Sequence, residues 1–473
     1  MYLMQLTGLP LIFVFLAAIA LMIVAISKLK LHPFLAIMAT AILLGLVAGI
    51  PFNDYTNTDG ALVRGIAWVM GQGFSGIFTG IGIVILTGAL IGAILEATGG
   101  AFKIADMVVK LLGKASPTLA MTIMGWIVSI PVFCDSGFVI INPVRKSIVK
   151  RTAASGIATG IGLGGGLYIS HVLIPLTPGP LAASNELGLG DNLLLVIIIS
   201  MIVSIPAVIA CTLFASWCGK RDKSKEDLEI SGDNTVQSYD QLVKSFGGLP
   251  NGFLSLAPIL MPILFMALGS IAGFAGLEGT LYAILRFVGT PVIALIIGLL
   301  FAIVLLFSTK KMDKFNALTN ETLKTMGPIL FITAAGGVLG RVIQESDMVP
   351  FIRDNSDILQ GLGLFFPFLV SAVIKTAQGS STVAIITTAG IMMPIMGALG
   401  LDADVMRALT VMAIGAGAMA ASHANDSYFW VVTNLSSMTP QQGYKNWTSM
   451  SVVLGLATMV GVTIVSLVWG FIG

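Results

Sequence analysis

Ten stretches of this chain are apolar over about 20 residues or more, the length a helix needs to cross roughly 30 Å of hydrocarbon. They lie near 6–27, 32–51, 76–97, 155–187, 192–218, 252–275, 288–308, 327–345, 408–440 and 446–471. The first is followed by Ser27-Lys28-Leu29-Lys30 with no small-residue cleavage site, so it reads as a retained helix rather than a signal peptide. Only 10% of the 473 residues are charged, against about 25% in soluble domains, too few to clothe a water-facing surface. Soluble globular, disordered and nucleic-acid-binding chains are excluded, and a net charge of +2 supplies no basic patch. Cys134, Cys211 and Cys218 make no disulfide framework and pair with no histidine at ligand spacing. Neither a metal nor an organic cofactor is expected. The class expected is an all-α integral membrane protein.

Two further apolar regions, 117–149 and 358–397, do not fit the spanning pattern. Each reads as two arms of roughly 13–16 residues, too short to cross. The arms meet at polar tips, Pro131-Val132-Phe133-Cys134-Asp135-Ser136-Gly137 and Thr376-Ala377-Gln378-Gly379-Ser380-Ser381-Thr382. Irregular backbone survives at membrane depth only where it lines a protein cavity. Both regions are therefore expected to be re-entrant hairpins rather than spans with a polar kink.

Lysine and arginine give the orientation. With the N-terminus outside, 19 basic residues fall inside, five (Arg64, Arg286, Arg341, Arg353 and Arg407) fall outside, and Lys375 lies within a hairpin. The inverted arrangement breaks the positive-inside rule, and reading either hairpin as a full span spoils the count. Both termini are then outside. The polar stretch 219–251, with its mixed charge run from Lys220 to Asp227, is expected to be a cytoplasmic linker of solvated surface. It separates residues 1–218 from 252–473, each with five spans and one hairpin. An odd number of spans makes the two halves enter the membrane from opposite faces.

Their features recur in the same order. Gly92–Glu96 answers Gly340–Gln344, the Asp135 tip answers Gln378–Thr382, and Tyr168–His171 answers Ala420–His423, at offsets of 248, about 245 and 252. Inverted-topology repeats with interrupted segments mark secondary transporters with a midplane site. Glu96 and Gln344, at corresponding helix ends, are read as structural, and segments near 60–75, 99–114 and 312–326 as amphipathic and interfacial.

Ionisable groups inside a bilayer are costly and mark functional paths. Five occur here, all in four interrupted segments: Asp135 and Lys375 in the hairpins, His171 in the fourth span, His423 and Asp426 in the ninth. His171 precedes Pro175-Leu176-Thr177-Pro178-Gly179-Pro180, which cannot stay helical. Half-helix N-termini at such breaks offer free N–H groups and positive dipole ends to an anion. Each residue also has a structural reading: Asp135 as a tip cap, Lys375 snorkelling outward, the histidines buried and neutral, Asp426 holding its helix break. His32, at a membrane edge, is read as structural. The adjacent pairs Ser170-His171 and Ser422-His423 point different ways on a helix, so no enzyme is expected.

Ile130-Pro131-Val132-Phe133, Gly137-Phe138-Val139, His171 through Pro180, Ala377-Gln378-Gly379-Ser380 and Ser422 through Ser427 resemble the gluconate permease (GntP) family of gluconate:proton symporters in the ion transporter superfamily. The resemblance implies proton-coupled uptake of a small hydroxylated carboxylate, gluconate or a related sugar acid, across the bacterial inner membrane. It also implies a homodimer whose mobile transport domains carry both hairpins, an elevator-type alternating access. Members of the family also carry D-serine, glycerate and hydroxybutyrate. Cys134-Asp135-Ser136 and Leu176-Thr177 depart from the family pattern, leaving open which carboxylate is carried.

On that reading Gly379, Ser380, Ser381 and Thr382 hold the substrate carboxylate and Lys375 attracts it from a distance. Asn425, Gln378 and Asp135 take its hydroxyls, with Ser136 and His171 in the same site. The proton rides on Asp426, Asp135, His423 or His171, whose charge changes at accessible pH once burial shifts them. The competing readings are sodium coupling with a carboxylate or amino-acid cargo, and an ion channel.

Overall fold

The computed structural model describes residues 6–112, 116–152, 154–229, 248–274, 278–347, 350–351 and 361–472. Residues 230–247 of the linker, 358–360 of the second hairpin, Lys114 and Arg353 lie outside the described residues, as do the side chains of Lys110, Lys150, Arg151 and Gln378. The chain is mostly helical, at 80%, as lipid demands: a helix satisfies its own N–H and C=O groups where no water can.

Before the linker run α1 (Gly8–Ser27), α2 (Pro33–Val47), a short antiparallel ladder of β1 (Tyr55–Thr56) with β2 (Leu62–Val63), α3 (Ile66–Thr98), α4 (Gly100–Leu112), α5 (Pro117–Val128), α6 (Cys134–Thr152), α7 (Gly156–Leu173), α8 (Pro178–Glu186) and α9 (Leu193–Arg221). The short α10 (Lys225–Glu229) follows. Then come α11 (Gly252–Phe274), α12 (Gly279–Gly289), α13 (Pro291–Ser308), α14 (Phe315–Gln344), α15 (Phe365–Gln378), α16 (Ser381–Met392), α17 (Asp404–Met419), α18 (Ser427–Leu435) and α19 (Ser449–Ile472).

Among the described residues, seven helical segments are long and apolar enough to cross a membrane: 8–26, 156–186, 190–221, 252–269, 291–308, 312–344 and 440–470. The two arms of 66–98, bent by 40°, make an eighth if taken as one. The difference from ten apolar stretches has a physical cause: hydropathy counts residues, whereas crossing requires helical rise. The stretch 32–51 holds a 15-residue helix, about 22 Å long at 1.5 Å per residue. The stretch 408–440 is divided into α17 and α18 by the irregular residues 420–426. Of the three amphipathic segments, only 99–114 forms a separate helix, α4; 312–326 runs into α14, and 60–75 covers β2 and the start of α3.

The outer faces of α1, α9, α13 and α19 expose large apolar side chains, including Phe13 at 69%, Leu213 at 67% and Phe307 at 74%. An apolar surface of this extent suits lipid. Inside, every residue of α7 is buried, as are Ala408–Met419 of α17. Glycine lets α7 approach α5 closely: a Cβ on Gly166 would stand 2.0 Å from the Thr122 carbonyl oxygen. Backbone contact thus replaces side-chain packing, as membrane helices use small residues to do. Helices from before and after the linker pack together, α3 along α14, α9 along α19 and α7 against α17.

The start of the linker is docked, not merely solvated. Arg145 of α6, with 0% side-chain exposure, pairs with Glu226 at 2.8 Å and donates to Asn142 Oδ1, Gly156 O and Leu435 O. Asp227 accepts from the Gly156 N–H at 2.6 Å and from Ser224. Lys445 reaches Asp222 at 2.8 Å. A charge run found its partners here because a buried guanidinium and a free helix N-terminus lay within reach, which the local sequence does not disclose. Removing one partner of a buried pair typically costs about 3–5 kcal/mol. Arg145→Ala is therefore expected to lower the melting temperature of the detergent-purified protein by several degrees; an unchanged melt would mean that the strap contributes nothing.

Candidate functional site

The site grows out of four chain breaks, each with a local cause. At the second hairpin α15 ends on Gly379 with φ +91°, and Ser380 caps α16 by accepting from the Val383 N–H at 3.3 Å. Only glycine fits there, because a Cβ would stand 2.2 Å from the Asn425 carbonyl oxygen. In the ninth apolar stretch α17 stops before Ala421, whose φ of +55° is left-handed, and Asp426 caps α18 by accepting from the Tyr428 N–H at 3.0 Å. At the first hairpin Ser129 Oγ donates to Val132 O at 2.7 Å, turning the chain into α6 at Cys134. Between α7 and α8, Thr177 Oγ1 donates to His171 O at 2.7 Å, serving a carbonyl that the prolines leave unbonded.

These breaks line a half-open cavity of about 280 Å³. Of the expected site residues, Asp135, His171, Asn425 and Asp426 line it, together with the Gly379–Thr382 tip. The first turns of α6, α16 and α18 all begin on its wall, at Cys134-Asp135, Ser381-Thr382 and Ser427-Tyr428. Three positive dipole ends therefore face one small space. His171 is 5% exposed, and its Nδ1 has no hydrogen-bond partner. A buried polar atom left unpaired costs about 1–3 kcal/mol.

Lys375 and His423 do not line this cavity. Lys375 Nζ lies 2.7 Å from Asp426 Oδ2, with side-chain exposures of 0% and 8%. The lysine expected to attract substrate from a distance thus has its charge matched within the protein. Asp426 also accepts from Ser422 Oγ at 2.5 Å and from the Tyr428 N–H, so three protein donors hold its carboxylate. Asp135 is held less: it has a 3.4 Å bond from Ser427 Oγ and a weak thiol contact from Cys134 at 3.6 Å. His423 Nε2 donates to Thr376 O at 3.0 Å and Asn425 Nδ2 to the same oxygen at 2.9 Å. Both serve carbonyls at the end of α15 that have no intrahelical donor. Ser136 lines a different cavity, and Phe133, Cys134, Tyr168, Ser427 and Tyr428 complete this one. Hydropathy gave no signal for the aromatic pair Tyr168 and Tyr428, whose rings stand 5.3 Å apart.

The profile of the GntP family permeases matches residues 9–468. This chain belongs to the GntP permease family. An uncharacterized permease of Haemophilus influenzae is 32% identical over 90% of this chain and 86% of its own length. A gluconate permease of Pseudomonas aeruginosa is 31% identical, over 94% and 95%. The YdaH transporter of Alcanivorax borkumensis superposes with a TM-score of 0.65 at 15% identity, over 93% of this chain and 99% of that one, a likeness of fold. The named relatives in the GntP family are permeases, not enzymes, and the chain is a membrane permease of the same kind.

The buried pair gives a double-mutant test. Lys375→Met leaves Asp426 charged and unmatched and is expected to destabilise strongly, by about 3–5 kcal/mol. Adding Asp426→Asn, which keeps a capping oxygen, should recover most of that loss in thermal melts of the purified protein. Additive losses would show that the two side chains do not depend on each other.

Proposed function

We propose that this chain is a proton-coupled symporter of a small hydroxylated carboxylate, gluconate or a related sugar acid, in the bacterial inner membrane. The observation that carries the reading is a half-open polar cavity at four chain breaks, with three helix N-termini and His171 on its wall. At about 280 Å³ it lies just below the roughly 300–1,000 Å³ of drug-sized pockets, which suits a small anion. The carboxylate would sit on the first-turn N–H groups of α16 at Ser381 and Thr382, in the turn shaped by Gly379 and Ser380. Its hydroxyls would meet Asn425 and His171.

Coupling follows from charge. Lys375 and Asp426 cancel, so the empty site carries the charge of Asp135. Ionised, Asp135 repels a carboxylate in the same small space; protonated, it is neutral and can donate a hydrogen bond to it. Asp135 is therefore the proposed proton carrier, ahead of Asp426, which is paired with Lys375 and held by two further donors, and His423 serves the helix end. An empty ionised site and a fully loaded one carry equal charge. Substrate without its proton adds a second negative charge, which the hydrophobic barrier resists.

The pairs α5–α6 and α15–α16 are proposed as the re-entrant hairpins 117–149 and 358–397. Residues 1–218 and 252–473 would be inverted repeats joined by the linker 219–251, with both termini outside. The order of long helix, broken pair and second broken pair on each side of the linker supports this. Both hairpins would ride in a mobile domain, elevator fashion, within a homodimer.

Proteoliposomes test the assignment. Binding of the carried acid should weaken as pH rises and Asp135 ionises. Asp135→Asn should bind with little pH dependence, keep substrate exchange and lose accumulation driven by a pH gradient. A variant that still accumulates substrate would remove Asp135 as the carrier. Uptake that needs sodium at fixed pH would favour sodium coupling, and failure of the wild type to concentrate any carboxylate would favour a channel.

A further inference from the structure

The first hairpin tip stands between two cavities. Beside the pocket at the four breaks lies a larger one of about 490 Å³, lined by the end of α3, the start of α14 and the tip. Among the described residues Phe133 alone lines both. The backbone that carries it is held from three sides. A Cβ on Gly92 of α3 would stand 2.3 Å from the Pro131 carbonyl oxygen, so the tip meets α3 backbone to backbone. Ser129 Oγ donates to Val132 O at 2.7 Å, and Asp135 accepts from Ser427 Oγ at 3.4 Å. The Phe133 side chain is only half-buried, and its ring lies against that of His171 with centroids 5.6 Å apart. Between the two cavities there is thus one side chain on a fixed stretch of backbone.

We infer, on the reading that the substrate carboxylate sits at the start of α16, that Phe133 sets the longest acid the pocket admits. Ser381 and Thr382 belong to the second hairpin and Phe133 to the first, so an acid anchored at one tip extends toward the other. A chain whose hydroxyls reach His171 has also reached the ring packed on it. That ring offers a further hydroxyl no hydrogen-bond partner, and a filled wall yields volume only at a cost. One more carbon therefore meets a barrier that is both occupied and apolar. Beyond it there is room. The larger cavity carries the hydroxyl side chains Ser136, Thr322 and Thr325, which suit the outer hydroxyls of a longer chain. Replacing the ring by a methyl group joins the two cavities and lengthens the pocket at its far end. Straight-chain hydroxy acids that end at Phe133 are carried, and longer sugar acids are refused by that one side chain.

A ladder of aldonates tests this in proteoliposomes: glycerate, erythronate, ribonate, gluconate and glucoheptonate, each competing with the best-bound labelled member. In the wild type, glucoheptonate is expected to compete at least about tenfold more weakly than gluconate, the scale of one misfitting carbon in a filled pocket. In Phe133→Ala it should come within about threefold of gluconate, the misfit having been removed. Glycerate, too short to reach the ring, should compete equally in both proteins, which also shows that the variant is folded. Phe133→Leu keeps most of the bulk and should keep the length limit. A wild type that takes glucoheptonate as readily as gluconate overturns the inference, and so does a Phe133→Ala protein that still refuses it. Equal weakening of every acid in Phe133→Ala also overturns it, marking the ring as support for His171. Sorbitol has the hydroxyls of gluconate without the carboxylate and should compete in neither protein. Sorbitol competing as well as gluconate would remove the carboxylate anchor, and with it the reading on which the length limit stands.

Discussion

Two opposite charges buried side by side hold this site together. Lys375 comes from the last turn of the second hairpin's first arm and Asp426 from the cap of α18. Either charge alone, out of water at membrane depth, would be costly enough to disrupt the fold. Their match ties the hairpin to the broken helix, and a second layer holds the aspartate in place. Ser422, which donates to Asp426, itself accepts from Trp447 Nε1 and donates its N–H to Ser451 Oγ, while Thr448 Oγ1 donates to its carbonyl. Every polar group of Ser422 is thus bound to the start of α19 or to the carboxylate.

That anchoring lets the chain keep conformations that would otherwise relax. Ala421 holds a left-handed φ, at a cost of about 1–2 kcal/mol for a residue with a Cβ. The Gly379 turn brings two backbones into direct contact. Both features sit where interrupted helices present their N-termini to one cavity, so the strain and the close approach serve the same purpose. With the internal charges matched, the field in the cavity comes from dipole ends and from Asp135, the one carboxylate there that protein donors leave largely unsatisfied.

Much of this was legible in the residues themselves. Isolated ionisable groups in apolar runs, beside proline and glycine clusters, pointed to Asp135, His171, Lys375 and Asp426 before any coordinates, and these gather in and around one pocket. The pairing of Lys375 with Asp426 was not legible, because 51 positions separate them and only the tertiary fold brings an arm to a break. Tyr168 and Tyr428 escaped notice because hydropathy treats a ring as apolar and ignores its hydroxyl. The docked strap at Glu226 and Asp227 looked like solvated surface, since charge spacing alone does not reveal a buried arginine 81 residues away. The ten apolar stretches outnumber the long apolar helices of the described residues where breaks consume residues without adding helical rise.

The most direct measurement of the central claim is substrate protection at the shared pocket. Thr382→Cys and, separately, Thr325→Cys in the cavity that Ser136 lines would be made with Cys134, Cys211 and Cys218 replaced by alanine. Each would be reacted with a small thiol reagent in reconstituted protein, with and without the sugar acid it transports. If the four breaks form the binding site, the sugar acid slows labelling at position 382 and leaves 325 unchanged. Labelling at 382 that ignores a substrate the same protein accumulates would contradict the account.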